Sequence, residues 1–173
     1  MRKLIKRLDL ADRLRRENLN RYFLQCTLAF LVVLILLLVL DAVTQTVLIA
    51  ALGSSTFIAF AVPRSLHSDP RHMIGGYLVG ISAGALMGTL NTTMHISDVA
   101  IAHSVTIIFG ALATGFAMFI MVVTKTEHPP AAALALGLVL NEWDLITLVV
   151  VIAGVVALSI FKRLVLPMLM DLL

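Results

Sequence analysis

The chain has 173 residues, 60% hydrophobic and 13% charged, with a formal net charge of +3 and a mean hydropathy of +1.03. Soluble domains carry about 25% charged residues, so this chain has too little polar surface to cover itself in water, and a single integral membrane domain is expected instead of a soluble one. The basic excess does not point to nucleic acid, because eight of the 13 Lys and Arg lie in the first 21 residues, next to the first apolar run.

Residues 1–21 read as a cytoplasmic amphipathic helix, with Leu4, Ile5, Leu8 and Leu14 among Lys3, Lys6, Arg7, Arg13, Arg15 and Arg16. Such a helix lies flat on an anionic leaflet, each basic residue contributing about 1 kcal/mol, so membrane lipid is an expected partner. The basic region is long and no small-x-small cleavage site follows, so the segment is expected to be retained and not removed as a signal. The single Cys26 excludes an intramolecular disulfide and fits a small apolar position.

Six apolar segments follow within a membrane domain spanning 22–166, at roughly 22–40, 44–62, 73–90, 100–123, 129–140 and 145–161, before a short tail at 167–173. Segment two is interrupted by "GSS" at 53–55, and segment five has only 12 residues and starts at Pro129. A helix needs about 20 residues to span about 30 Å of hydrocarbon, so charge must decide whether these two cross. If all six cross, all 13 basic residues fall on the N-terminal side, and the positive-inside rule places both termini in the cytoplasm. Re-entrant segments would put Arg64 and Arg71 outside, so six crossings are expected, in the cytoplasmic (inner) membrane of a prokaryote.

The pattern long, broken, long occurs twice, and a shift of about 75 residues lays "GSSTFIAFA" over "HPPAAALAL". An odd number of crossings per repeat makes the repeats inverted, which is a transporter architecture with its site where the broken helices meet. The expected fold is therefore an all-α polytopic transmembrane protein of two inverted three-helix repeats. In segment three, Gly76, Gly80, Gly84 and Gly88 form one helical stripe. That stripe serves tight packing inside the monomer or, alternatively, a subunit interface or pore-lining groove.

The stretch "KTEHPP" at 125–130 is the main candidate for chemistry. Proline suits the first turn of a helix, so Pro129 and Pro130 mark a helix start whose N–H groups are free from about Ala131 onward and whose positive dipole end faces the preceding residues. Ser54, Ser55 and Thr56 offer hydroxyls and capping chemistry at the matching place in the first repeat. With Lys125, Thr126 and His128 beside them, and Arg71 at the mouth, the two starts suit a small anion. Glu127 opposes that unless it pairs with Lys125 or Arg71 or faces water. The alternative is a proline-capped turn with His128 capping a carbonyl. No Ser-His-Asp pattern, HExxH or cysteine nucleophile context is present, so no enzyme is expected. An intramembrane enzyme using His128 and Glu127 is the weakest reading. The five histidines lack metal-ligand spacing, so no metal or cofactor is expected.

The motifs "TEHPPAAA" at 126–133 and "LGSSTFIAFAVPRSLHSDPRHMIGG" at 52–76 resemble the HPP family of integral membrane proteins over roughly 22–165. The resemblance implies at least four spans and, from plastid and cyanobacterial members, nitrite transport. The positions it carries over are Ser54, Ser55, Pro70, Arg71, Gly75, Gly76, His128, Pro129 and Pro130. Ala132 stands where the family often has glycine, Asp69 and His72 flank Pro70-Arg71 in place of Gln and Asn, and Tyr77 replaces a frequent histidine. The expected function is a channel or carrier for a small monovalent anion such as nitrite, working as a homo-oligomer. His128 is the candidate proton carrier if transport is coupled. The alternative is a membrane scaffold or sensor subunit that uses the glycine stripe.

Overall fold

The structure is a computed structural model that describes residues 16–40 and 46–172. It contains six α-helices: α1 (Arg16–Leu40), α2 (Thr46–Ala61), α3 (Pro70–Thr93), α4 (Val99–Thr124), α5 (Pro129–Leu140) and α6 (Leu145–Val165), with short 3-10 turns at Leu66–Ser68 and Leu166–Met168. No strand is present among the described residues. The amphipathic segment expected at 1–21 lies outside the described residues up to residue 15; from Arg16 the chain is already helical and continuous with α1.

Three helices are long and apolar enough to cross a membrane, namely α3, α4, and α6 together with its terminal turn. The apolar parts of α1, α2 and α5 are shorter. At 1.5 Å per residue, the 12 residues of α5 reach about 18 Å, well short of a bilayer core. Its irregular flanks can lie at membrane depth only because protein surrounds them. Most of α5 is indeed buried, including Pro130, Ala131, Leu134, Ala135 and Leu138.

The burial of α5 follows from the glycines of α3. A Cβ at Gly76 would lie 2.6 Å from the His128 Cβ, one at Gly84 would lie 2.7 Å from the Ala135 carbonyl oxygen, and one at Gly80 would collide with the Ala131 carbonyl. Gly88 faces Leu138 in the same way, at 3.1 Å from its carbonyl oxygen. The register, 76 to 128–131 and 88 to 138, makes α3 and α5 parallel neighbours with backbones in near contact. The stripe is therefore filled by the chain's own helix.

Segment two corrects an expectation. α2 runs without interruption through Gly53, Ser54 and Ser55. The hydroxyls of Ser54 and Ser55 reach the Ala51 carbonyl at 2.9 and 3.0 Å, and that of Thr56 donates to the Leu52 carbonyl at 2.9 Å. Hydroxyls bonded back along the helix are satisfied without breaking it, at a slight cost to the helix, and one interior glycine costs only about 1 kcal/mol. Hence there is no helix start at Ser54–Thr56 and no capping there. An inverted repeat built from two broken helices loses one of them.

Among the described residues the helix ends and turns gather at two poles. At one, Gln25 donates to the carbonyls of Phe60 (2.7 Å) and Met170 (2.8 Å), Arg71 to that of Thr124 (3.1 Å), and buried Lys162 to that of Ser68 (3.1 Å). The Leu172 amide donates to the Ala61 carbonyl at 2.7 Å. At the other pole Asn91 bonds Thr106 at 3.0 Å, joining the end of α3 to the start of α4. Asp144 caps α6, and the Thr147 hydroxyl and amide hold its carboxyl below the usual carboxylate range, so this cap is lost only as pH falls through that depressed value. Arg64, Arg71, Lys125, Lys162 and Arg163 all belong to the first pole, whereas 91–98 and 141–144 hold Asp98, Glu142 and Asp144 and no basic residue.

Two measurements check this arrangement. In a Cys26→Ser background, cysteines at Leu66 and at Asn141, both exposed, should react with an impermeant thiol reagent from opposite sides of a vesicle. Labelling from the same side would refute the alternation of the helices. In detergent, Gly80→Ala should lower the melting temperature, with overpacking costing about 1–3 kcal/mol. Gly53→Ala and Gly115→Ala, where an added Cβ meets nothing within 4 Å, should leave it unchanged or raise it.

Candidate functional site

Four elements meet where α5 begins. Pro129 and Pro130 occupy its first turn, and His128 is its N-cap residue, extended at φ −142° and ψ 98°. The first amide after the prolines, that of Ala131, donates to the His128 carbonyl at 2.9 Å. It is therefore not free, which removes part of the donor set expected for an anion at this helix start. Gly75 and Gly76 of α3 admit the incoming 126–128 strand of backbone: Gly75 packs on the Thr126 methyl and Gly76 on the Thr126 carbonyl and the His128 Cβ. Contact with Gly76, six residues into α3, sets His128 about 9 Å below the start of that helix.

His128 is 1% exposed, and both ring nitrogens are engaged. Nδ1 lies 2.8 Å from the His67 carbonyl oxygen and Nε2 lies 2.8 Å from the Ser55 hydroxyl. Ser55 also lies 2.9 Å from the Tyr77 hydroxyl, and Ser55 and Tyr77 are both fully buried. The Tyr77 and His128 rings stack obliquely, 5.7 Å apart. A carbonyl can only accept, so Nδ1 carries a proton. In the neutral ring Nε2 is then the acceptor, and the chain of bonds runs from the Tyr77 O–H to the Ser55 Oγ, and from the Ser55 O–H to His128 Nε2. Three helices and a loop thus hold one imidazole in one tautomer.

Around this lies a rim of titratable groups. His67 Nδ1 is 2.8 Å from the Glu127 carbonyl oxygen, so residues 67 and 127–128 bond each other reciprocally. Glu127 pairs with His72, Nε2 to Oε2 at 3.5 Å, and not with Lys125 or Arg71, the partners considered from sequence. The His67 and His72 rings stand edge to face at 6.4 Å. The buried His72 Nδ1 has no hydrogen-bond partner. Among the described residues no group of His, Cys, Asp and Glu could hold a metal ion.

On its other side His128 opens into a groove of about 490 Å³ between α4 and α5, whose walls include Thr114, Met118, Met121, Ala132 and Leu136, with Glu127 at its rim. The groove is almost wholly apolar apart from Thr114, Glu127 and His128.

Of the residues singled out in the sequence, Ser55 and His128 come together directly. Ser54 is exposed and Thr56 is buried, and the hydroxyl of each bonds back to its own helix. The Thr126 hydroxyl bonds Thr124 at 2.8 Å and its methyl packs on Gly75. Lys125 is exposed and serves as the left-handed C-cap of α4, at φ 54° and ψ 54°. Arg71 is exposed and binds the end of α4, Pro129 lines the groove, and Pro130 is buried. Sequence reasoning missed Tyr77 as a hydrogen-bond partner, along with Gln25 and Lys162. The signal for Tyr77 was its place where the family often has another ring donor, histidine.

The family model described as HPP, transmembrane region, matches residues 14–169. The chain belongs to the HPP transmembrane family. No curated protein and no solved structure matches it. Both motifs that carried the resemblance, "GSST" and "EHPP", contribute to this one HPP site, through Ser55 and His128.

His128 lines the groove, but its burial and its two ring bonds also give it a structural load. His128→Ala should leave the Ser55 hydroxyl and the His67 carbonyl without their partner and lower stability by about 2–4 kcal/mol, read as a melting shift in detergent. Ser54→Ala, at an exposed hydroxyl, should change it little.

Proposed function

We propose that this HPP-family protein passes a small monovalent anion, nitrite being the expected one, across the membrane as a channel or carrier. The observation that carries the reading is the Tyr77–Ser55–His128 chain, a polar set buried in an apolar protein and opening on a 490 Å³ groove through His128. Buried polar and ionisable groups are expensive at membrane depth and mark ion pathways by default. Every proton of that chain is already committed to an internal partner, so an anion in the groove must draw a donor away from it and is held only moderately, as an ion that must leave again requires. The basic pole, with Arg64, Arg71, Lys125 and Arg163, raises the local anion concentration at one mouth. The positive-inside rule assigns that pole, and with it both termini, to the cytoplasm.

Among the described residues the groove is walled by α4, α5 and the turn between them, and an ion held there needs a further wall against lipid. A second copy of the chain supplies one, so the working form is a homo-oligomer. A scaffold that recruits partners through the glycine stripe is less well supported, because α5 fills the stripe.

Purified protein in liposomes tests the reading. Nitrite uptake should exceed that of protein-free liposomes, which are subtracted because nitrous acid crosses lipid unaided. His128→Gln should reduce the protein-dependent part about tenfold, the loss of one hydrogen bond to a charged group. Uptake equal to the protein-free control would end the transport reading.

A further inference from the structure

Ser55 differs from its neighbours in a way that bears on how an anion would be driven. Ser54 and Thr56 bond back to their own helix, whereas the Ser55 oxygen has three partners: the Ala51 carbonyl at 3.0 Å, the Tyr77 hydroxyl at 2.9 Å and His128 Nε2 at 2.8 Å. A hydroxyl has one proton to give and two lone pairs to receive. Two complete assignments of the same heavy atoms exist. With neutral His128, the Ser55 proton points to Nε2 and the Tyr77 proton to Ser55. With a second proton on the ring, Nε2–H donates to Ser55, the Ser55 proton turns to the Ala51 carbonyl, and Tyr77 still donates to the remaining lone pair. In both states the His128 Nδ1–H stays on the His67 carbonyl. No heavy atom moves, and none of these polar atoms is left unpaired in either state.

We propose that Ser55 is a two-position hydrogen-bond switch that lets His128 take up and release one proton per anion, so that the two cross together. This deepens the transport reading and rests on it. The proton comes from a hydronium ion, or from the acid form of the anion, and ends on Nε2. An O–H bond of the donor breaks as the N–H bond forms, leaving water or the anion; on release the N–H bond breaks and the proton returns to water. His128 is one of the residues lining the groove, so the charge of the protonated ring lies close enough to offset that of an anion there. The titratable and charged groups near it act through the rim. His67 and His72 carry charge of the same sign when protonated, Glu127 opposes them through His72, and Lys162 and Asp69 flank the 3-10 turn at Leu66–Ser68. The groove-lining residues of α4 contribute no titratable group.

The wild-type protein alone tests coupling. In liposomes loaded with a pH dye, a nitrite gradient should acidify the lumen by one proton per anion, after subtraction of protein-free liposomes. Uptake should be insensitive to a potential set with potassium and valinomycin, since the pair is electroneutral. Protein-dependent uptake that follows the potential without acidification would overturn the inference and leave anion transport standing. Absence of uptake would overturn both. Ser55→Ala then tests the switch. A charge-assisted bond is about twice as strong as a neutral one, so the variant loses more from the protonated state. The pH of half-maximal uptake should fall by about one unit, tenfold in proton concentration. An unchanged pH profile in a variant that still transports would remove Ser55 from the mechanism. Should Ser55→Ala not fold, the wild-type acidification and voltage measurements still decide whether proton and anion are coupled.

Discussion

The closeness of α3 and α5 is the constraint on which the rest depends. Four glycines at intervals of one turn strip α3 of side chains along the line where α5 lies, and the two backbones meet there. Association in lipid draws on such packing, because no hydrophobic force separates helix from tail. A helix of 12 residues has few ways of staying at membrane depth. Here it is wrapped by α2, α3 and α4, and its entry point is pressed against Gly75 and Gly76. The position of His128 is thereby a consequence of helix packing and owes little to the loop before it.

That placement explains why the polar chain is rigid. Tyr77 sits one residue after Gly76 on the same helix, so the contact that positions the His128 Cβ also brings the tyrosine ring beside the imidazole. Ser55 comes from α2, whose continuity through Gly53 gives it a fixed direction. The ring is then held on both nitrogens by groups that are themselves held. Helix-dipole stabilisation, by contrast, is weaker than proline placement alone suggests. The prolines bring no N–H, and the next amide is turned onto the N-cap carbonyl.

Much of this was legible in the sequence, and the parts that were not have physical reasons. Hydropathy located six helical segments, and α5 was bounded at Pro129 and Leu140 because proline and the polar Asn141 are strong punctuation. The meeting of Ser55 with His128 was expected from two converging helix starts, and it occurs although α2 has no start there. The state of α2 was not legible, since "GSS" is compatible with a break or with hydroxyls bonded back along the helix, and only tertiary burial selects between them. Gln25 and Lys162 were invisible for a related reason. Each looks like a boundary residue in sequence, and each is buried because distant carbonyls come to it. The glycine stripe was read correctly as a close-approach surface, but sequence spacing does not say which helix approaches.

Gln25 has an implication for biogenesis. Its side-chain amide joins the end of α2 to the carbonyl of Met170, 145 residues further along. Translation at 5–20 residues per second takes roughly 7–30 s to cover that distance. For most of that interval half of the main polar attachment of α1 is still unsynthesised. α1 is thus inserted well before its last fastening is made, and a nascent chain stalled before Met170 holds it mainly by its contacts with α2 and the Phe60 carbonyl.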